Sequence, residues 1–237
     1  MDVSLILPCY NEMQVIEESL RDIQQTMDST VYDYEILLID DGSSDGTVNF
    51  IHNYCRGNPK ASCLIHQHNM GRGAAVRDGI LMAQGKVVGF IDIDLEVPAY
   101  CMLPLIQQVL AGADVATGWR VYKLDHRTLR RYLFTKGYIC LVKLLFRAGL
   151  EDTETGIKFF NRQSILPLLD EIVSSHWFWD TEIMVHAYYK GLTIREVKVL
   201  FDKRSEVNST LRLLPDTLDY LKNLIRFRAE LKKKQWL

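Results

Sequence analysis

The chain has 237 residues, 48% of them hydrophobic and 24% charged, with a net charge of −2 at pH 7. This is globular composition, sufficient for one large domain or a domain with a C-terminal appendage, and it excludes a disordered or low-complexity protein. Five cysteines (Cys9, Cys55, Cys63, Cys101, Cys140) without Cys-x-x-Cys spacing argue against a disulfide framework and a zinc site, and suit a reduced, cytosolic protein.

At the N-terminus Asp2 stands where a signal peptide would carry basic residues, so no leader is expected. Residues 3–7 read as a buried strand, and residues 12–27 as a helix with Val15, Ile16, Leu20 and Ile23 on one face. A second strand at 34–39 runs into the turn formers Asp40-Asp41-Gly42-Ser43-Ser44-Asp45-Gly46, and a helix opens near Thr47. Residues 61–65, 86–91 and 114–117 are three further predicted strands, with helices near 73–83 and 98–110 between them. This alternation predicts right-handed βαβ units, and so a mainly parallel sheet with helices on both faces. Residues 130–146 and 215–231 are predicted amphipathic helices, the second with a stripe of Leu218, Leu221, Leu224, Ile225, Phe227 and Leu231. No stretch reaches the roughly 18 uninterrupted apolar residues of a membrane span.

Ligands of such a sheet bind beyond the carboxyl ends of its strands. The polar residues cluster there: Pro8, Tyr10, Asn11 and Glu12 after the first strand, and Asp40 and Asp41 after the second. Asn69, Gly71 and Gly73 follow the third, Asp92, Asp94 and Glu96 the fourth, and Gly118 and Arg120 the fifth. Each cluster alone has an ordinary account as a turn, a cap or a tight bend. Their common edge predicts one cleft.

Asp92-Ile93-Asp94 is the most informative cluster, because alternate residues leaving a strand point the same way. Two converging carboxylates repel unless a cation lies between them, and hard oxygen ligands suit Mg²⁺ or Mn²⁺ shared with substrate phosphates. A solvated acidic turn is the competing account. The run Asn69-Met70-Gly71-Arg72-Gly73-Ala74 at a helix start either presents backbone N–H groups to an anion or permits close packing. Val76 stands where a dinucleotide fingerprint needs Gly, and no Gly-Lys-Ser/Thr follows. His66 and His68 have no third ligand nearby and are expected on the surface or supporting a neighbour.

Taken together, Leu7-Pro8-Cys9-Tyr10-Asn11-Glu12, the 40–47 block, the Asn-x-Gly-x-Gly-Ala segment and Asp92-Ile93-Asp94-Leu95-Glu96 resemble family 2 glycosyltransferases. Four motifs in register across about 120 residues make a specific match. The resemblance implies a type A nucleotide-diphospho-sugar transferase fold, an α/β architecture whose mainly parallel central sheet is flanked by helices. Gly118-Trp119-Arg120, the 152–160 segment, Trp179-Asp180-Thr181-Glu182, and Arg204 with Ser209 are similar to the polyprenyl-phosphate (dolichyl-phosphate) mannosyl- and glucosyltransferase branch. That similarity reaches to about residue 212, and implies a catalytic domain at 1–212 followed by a basic amphipathic helix at 213–237.

Carried over by position, the resemblance assigns the nucleoside to Pro8, Tyr10, Glu12, Ile39 and Asp41, with Asp92 and Ile93 beside the diphosphate. It assigns the metal to Asp92 and Asp94 with Glu96 adjacent, and the donor and acceptor phosphates to Arg120, Arg131, Arg204 and Ser209. Three positions depart from the usual pattern: Glu96 where Gln is common, Ile93 where Ala is usual, and Thr210 where a Lys often follows. The implied reaction moves a hexose, with inversion, from a GDP-mannose or UDP-glucose type donor to a polyprenyl phosphate. Asp94 and Arg120 would stabilise the leaving diphosphate. A phosphate acceptor is already anionic and needs positioning more than a base. A hydroxyl acceptor needs one, for which Asp180 and Glu182 are candidates, unless those two hold Lys158 or an arginine instead.

Charge along the chain is uneven. Eight basic residues face one acid between 120 and 147, and nine face four from 203 to the end. Interspersed with apolar residues, these stretches suggest a peripheral protein at the cytoplasmic membrane surface, recruited by a small membrane partner; packing on the catalytic domain is the other account of the tail. The acidic cleft and the lack of an RNA-binding motif argue against nucleic acid. A family 2 enzyme acting on a soluble or saccharide acceptor is the alternative.

Overall fold

The apolar N-terminal run folds as β1 (Val3–Cys9), buried along its whole length, in a computed structural model that describes residues 1–122, 129–201 and 213–237. The chain then alternates α1 (Ile16–Asp28), β2 (Tyr34–Asp40), α2 (Thr47–Gly57), β3 (Ala61–Ile65), α3 (Arg72–Met82) and β4 (Val87–Ile91). Next come α4 (Met102–Leu110), β5 (Val115–Tyr122), α5 (Leu129–Phe146), β6 (Ile157–Asn161), the single turn α6 (Arg162–Ile165), α7 (Trp179–Tyr189), β7 (Ile194–Phe201) and α8 (Leu213–Lys233). The sheet runs β3-β2-β1-β4-β6-β5-β7, parallel except at β6, which is antiparallel to both β4 and β5.

Two cores sandwich this sheet. Val3, Leu5 and Leu7 of β1 face one core with Leu20 and Ile23 of α1 and Leu105 and Ile106 of α4. Ile6 faces the other, with Val76 of α3, Phe146 of α5, Ile183 of α7, and Leu224, Phe227 and Leu231 of α8. The C-terminal helix thus buries a stripe in the body of the fold. Ile225, expected in that stripe, is 70% exposed, and the side chains of Leu218 and Leu221 lie outside the described residues. Pro8 cannot donate to a ladder, but β4 pairs with β1 only from Val3 to Ile6, so it stands where β1 has no partner on that side.

Several expectations need correction. α1 starts at Ile16, not at residue 12, because the Glu12 carbonyl takes the Val15 and Ile16 N–H groups in a separate turn. β5 continues to Tyr122, so Gly118 and Arg120 lie within the strand instead of after it. Its extension is paired by β7, and neither β6 nor β7 was predicted. Lys158 interrupts the apolar run of β6, and Arg195, Glu196 and Lys198 give β7 a surface-like pattern.

His186 of α7 lies in the second core, stacked on Phe227 at 5.3 Å, with neither ring nitrogen hydrogen-bonded. Burial first, then Lys234, push its pKa from 6.5 down to about 4; Lys190 acts the same way, and Glu230 and Glu171 oppose them. The folded state therefore holds it neutral while the unfolded chain takes a proton below pH 6.5. Its contribution is present above that pH and lost as pH falls towards 4. Thermal melts should show His186→Phe gaining a few degrees on the wild type between pH 7 and pH 5, and little at pH 8. A gap that does not change with pH would contradict the assignment.

Candidate active site

The loops after β1 and β2 clasp one another. Asn11, in the left-handed region at φ 58°, donates its N–H to Ser43 Oγ (2.8 Å) and accepts the Ser44 N–H on Oδ1 (2.8 Å). Glu12 N–H donates to Thr47 Oγ1 (2.9 Å) and Met13 N–H to Asp45 Oδ2 (3.1 Å). Tyr10 remains 40% exposed beside them. Ile39 and Ile93 are buried core residues, so only their backbone is available to a ligand.

Asp41 is buried rather than turned to the cleft. Its Oδ1 accepts from His66 Nδ1 (2.7 Å) and Met70 N–H (2.8 Å), and its Oδ2 from Gly71 N–H (2.8 Å). Its carboxylate thus fixes the β3–α3 loop. His66 is buried and bridges Asp41 to Asp78, whereas His68 is exposed. Asp41→Ala strands three donors, so we expect a loss of about 3 kcal/mol in denaturant unfolding. An unchanged unfolding midpoint would show the carboxylate to be dispensable to the fold.

Beyond β4, Leu95 adopts φ 49°, unusual for a bulky residue, and the turn is closed by Leu95 N–H to Asp92 O (3.1 Å) and Glu96 N–H to Asp94 Oδ1 (3.2 Å). Asp92 faces a cation from α3: Arg72 Nε and Nη2 lie 2.7 and 2.6 Å from its Oδ1. Arg72 Nη1 reaches Asp180 Oδ2 (2.5 Å), and Asp180 Oδ1 accepts from Lys158 Nζ (2.7 Å). Asp180 is therefore buried between two cations, Arg72 and Lys158. Glu182, fully buried, is occupied by the Val173 and Ser174 N–H groups (3.1 and 2.8 Å). Both of its oxygens thus already hold backbone donors.

Arg120 pairs bidentately with Asp152, Nε to Oδ2 at 2.7 Å and Nη2 to Oδ1 at 2.8 Å. Burial raises the Asp152 pKa, but the guanidinium wins and holds it below its ordinary value. Arg120 is thus anchored with two of its nitrogens, not poised wholly for phosphate. Arg131 falls on α5, but its side chain lies outside the described residues, as do Arg204 and Ser209. Glu154 accepts from Thr181 (2.5 Å), Tyr138 (3.3 Å) and Tyr220 of α8 (2.7 Å). Burial and then Asp180 push its carboxyl up to about 7.

Sequence reasoning gave no role to Arg72, Asp152 or Glu154, and named Lys158 only as something to be held. A lysine inside an apolar strand was the available signal, since a buried ammonium demands a buried anion.

The acids at the carboxyl ends of β1 and β4 share one field. Burial, then Asp94, Asp92 and Asp45, push the Glu12 carboxyl from 4.5 up to about 8. Such a concentration of negative charge suits a divalent cation, which needs only one or two carboxylates when phosphates complete its shell. Among the described residues no three His, Cys, Asp or Glu side chains form a metal-binding group, so Asp92, Asp94 and Glu96 are not gathered into a closed cage. The residues would fit a cation whose shell is completed by ligand phosphates, for which Asp94 would be the protein ligand while Asp92 is held by Arg72.

Known proteins share the sequence pattern and the fold. The profile of glycosyl transferase family 2 matches residues 4–174. Glycosyltransferase AglD of Haloferax volcanii is 29% identical over 216 residues, covering 89% of this chain and 35% of AglD, so the chain spans about a third of that relative. Dolichyl-phosphate beta-glucosyltransferase of Drosophila melanogaster is 30% identical over 216 residues, covering 84% of this chain and 66% of the fly protein. Among solved structures, glucosyl-3-phosphoglycerate synthase of Mycobacterium tuberculosis, in complex with Mn²⁺, UDP and phosphoglyceric acid, superposes with a TM-score of 0.70 at 20% identity. That match covers 96% of this chain and 78% of the synthase, and it shows a shared fold.

Proposed function

Because the chain belongs to glycosyl transferase family 2, we propose that it transfers a hexose, with inversion, from a nucleoside-diphosphate sugar to a polyprenyl phosphate. The observation that carries the acceptor class is the state of Asp180 and Glu182. A hydroxyl acceptor must lose a proton to a base, and both candidates are buried and already engaged. A phosphomonoester needs no such base, because its oxygen is ionised near pH 7. The dolichyl-phosphate relatives support the same acceptor, and favour glucose over mannose as the transferred sugar.

In this reading Tyr10 and the Asn11–Ser43 clasp border the nucleoside, and Asp94 holds the diphosphate side of the cleft. A bound Mg²⁺ or Mn²⁺ would supply electrostatic stabilisation of the leaving diphosphate. Arg72 and Arg120 add fixed positive charge, each oriented by a buried carboxylate.

Among the described residues no helix is long and apolar enough to cross a membrane. Leu133 and Leu144 of α5 and Ile225 of α8 are exposed at 60%, 70% and 70%, and Lys136, Lys222, Arg226, Lys232 and Lys233 are exposed on the same two helices. These features support peripheral work at the cytoplasmic face, with or without a small membrane partner, and each basic residue reaching an anionic surface adds about 1 kcal/mol.

The test supplies UDP-glucose or GDP-mannose with a short polyprenyl phosphate, the free polyprenol or a soluble sugar, on anionic vesicles, and reads products by mass. We expect glucosyl polyprenyl phosphate and no glycosylated polyprenol. Transfer to the soluble sugar alone would establish the family 2 alternative, and transfer to polyprenol would overturn the phosphate acceptor.

A further inference from the structure

Lys158 poses a question that the fold does not answer. It lies at 0% exposure in the middle of β6, between β4 and β5, where an apolar side chain would serve the sheet better. A buried ammonium costs several kcal/mol unless it is paired and hydrogen-bonded. Here Nζ donates to Asp180 Oδ1 (2.7 Å) and to the Thr155 carbonyl (2.6 Å), and lies 5.4 Å from the centre of the Phe90 ring.

The pairing continues outward in one line. Asp180 gives its second oxygen to Arg72, whose guanidinium lies 4.9 Å from the Phe90 ring and 5.2 Å from that of Trp177. Arg72 then meets Asp92 at the mouth of the cleft. Side-chain exposure rises along the line, from 0% at Lys158 through 3% at Asp180 and 10% at Arg72 to 30% at Asp92. Two cations alternate with two anions, so each charge is balanced by its neighbours. Losing an inner member changes what the outer ones must neutralise.

We propose that Lys158 and Asp180 are positioning residues of the donor site: the buried pair fixes Arg72 so that it holds Asp92 beside the bound diphosphate. The proposal rests on the reading of this cleft as a nucleotide-sugar site. With Lys158 gone, Arg72 is the one cation among the described residues left to pair with both Asp92 and Asp180. The more deeply buried Asp180 has the stronger claim on it, because an unpaired charge costs more there. Arg72 then leaves Asp92, whose charge joins that of Asp94 against an anionic ligand. With Asp180 neutralised instead, the unpaired Lys158 ammonium repels Arg72 from below. Removing both charges restores the balance, since the amide oxygen that Asp180→Asn introduces still accepts a hydrogen bond from Arg72 and no unpaired charge lies beneath it.

The experiment is calorimetric binding of UDP with Mn²⁺ to wild type, Lys158→Met, Asp180→Asn and the double variant, with melting curves for each. Each single variant should weaken UDP binding by about tenfold or more, and the double variant should recover to within about threefold of wild type. If Lys158→Met does not fold, Asp180→Asn against the double variant gives the same contrast. A purely structural pair would shift melting temperatures and leave UDP affinity equal among the folded variants. That result, or a double variant no better than the worse single one, overturns the positioning role. A wild type that binds no UDP overturns the donor reading itself.

Discussion

Asp94→Asn should lower transfer on the order of 10³-fold while leaving the fold intact, because it removes the carboxylate offered to the cation without disturbing the core. Asp94 is only half-buried, and its bond to the Glu96 N–H needs an oxygen acceptor, which the amide still provides. Excess chelator should silence the wild type, and Mg²⁺ or Mn²⁺ should restore it. Glu96→Gln makes the sharper control. It installs the residue common in the resembling family, and if Glu96 is only adjacent to the cation the rate should stay within a few-fold of wild type. Full activity of the wild type in excess chelator would end the metal assignment.

The sheet was legible from sequence where its strands are mostly apolar. β1, β2 and β4 are predominantly apolar runs followed by turn formers, and each appears within a residue or two of its expected place. β6 and β7 were not legible, because their patterns depend on distant partners. Lys158 reads as a strand breaker until Asp180 is placed beside it, and β7 reads as surface until β5 is found to need a neighbour. The cleft followed the same rule. That the polar clusters share one edge could be read from strand order, but which carboxylates face the ligand could not. Asp41 and Asp92 are equally acidic in sequence, yet one is buried among backbone N–H donors and the other faces Arg72. Arg72 itself lies inside a glycine-rich segment, Gly71-Arg72-Gly73. Gly73 is needed there for packing, since a Cβ would lie 2.4 Å from the Trp179 side chain.

Gly156→Ala should be the most damaging single methyl group in the cleft. Gly156 adjoins β6 and accepts the Asp92 N–H on its carbonyl (2.9 Å). A Cβ at this position would stand 2.0 Å from Asp92 Oδ2 and 2.7 Å from its Cγ. The carboxylate has little room to yield, because its other oxygen is held by Arg72. Either Asp92 swings away from Arg72, or the start of β6 shifts from its pairing at Ile91 and Ile157. Overpacking of this kind costs about 1–3 kcal/mol, and misplacement of a binding group by an ångström costs about 10²-fold in rate. We therefore expect a cooperative but lowered melt, together with a loss of UDP affinity and turnover larger than the stability change explains. Gly149→Ala, in the same loop, meets nothing within 4 Å and should leave both unchanged. If Gly156→Ala instead melts lower but binds UDP and turns over like the wild type, Asp92 does not face the donor, and its pairing with Arg72 serves the fold alone.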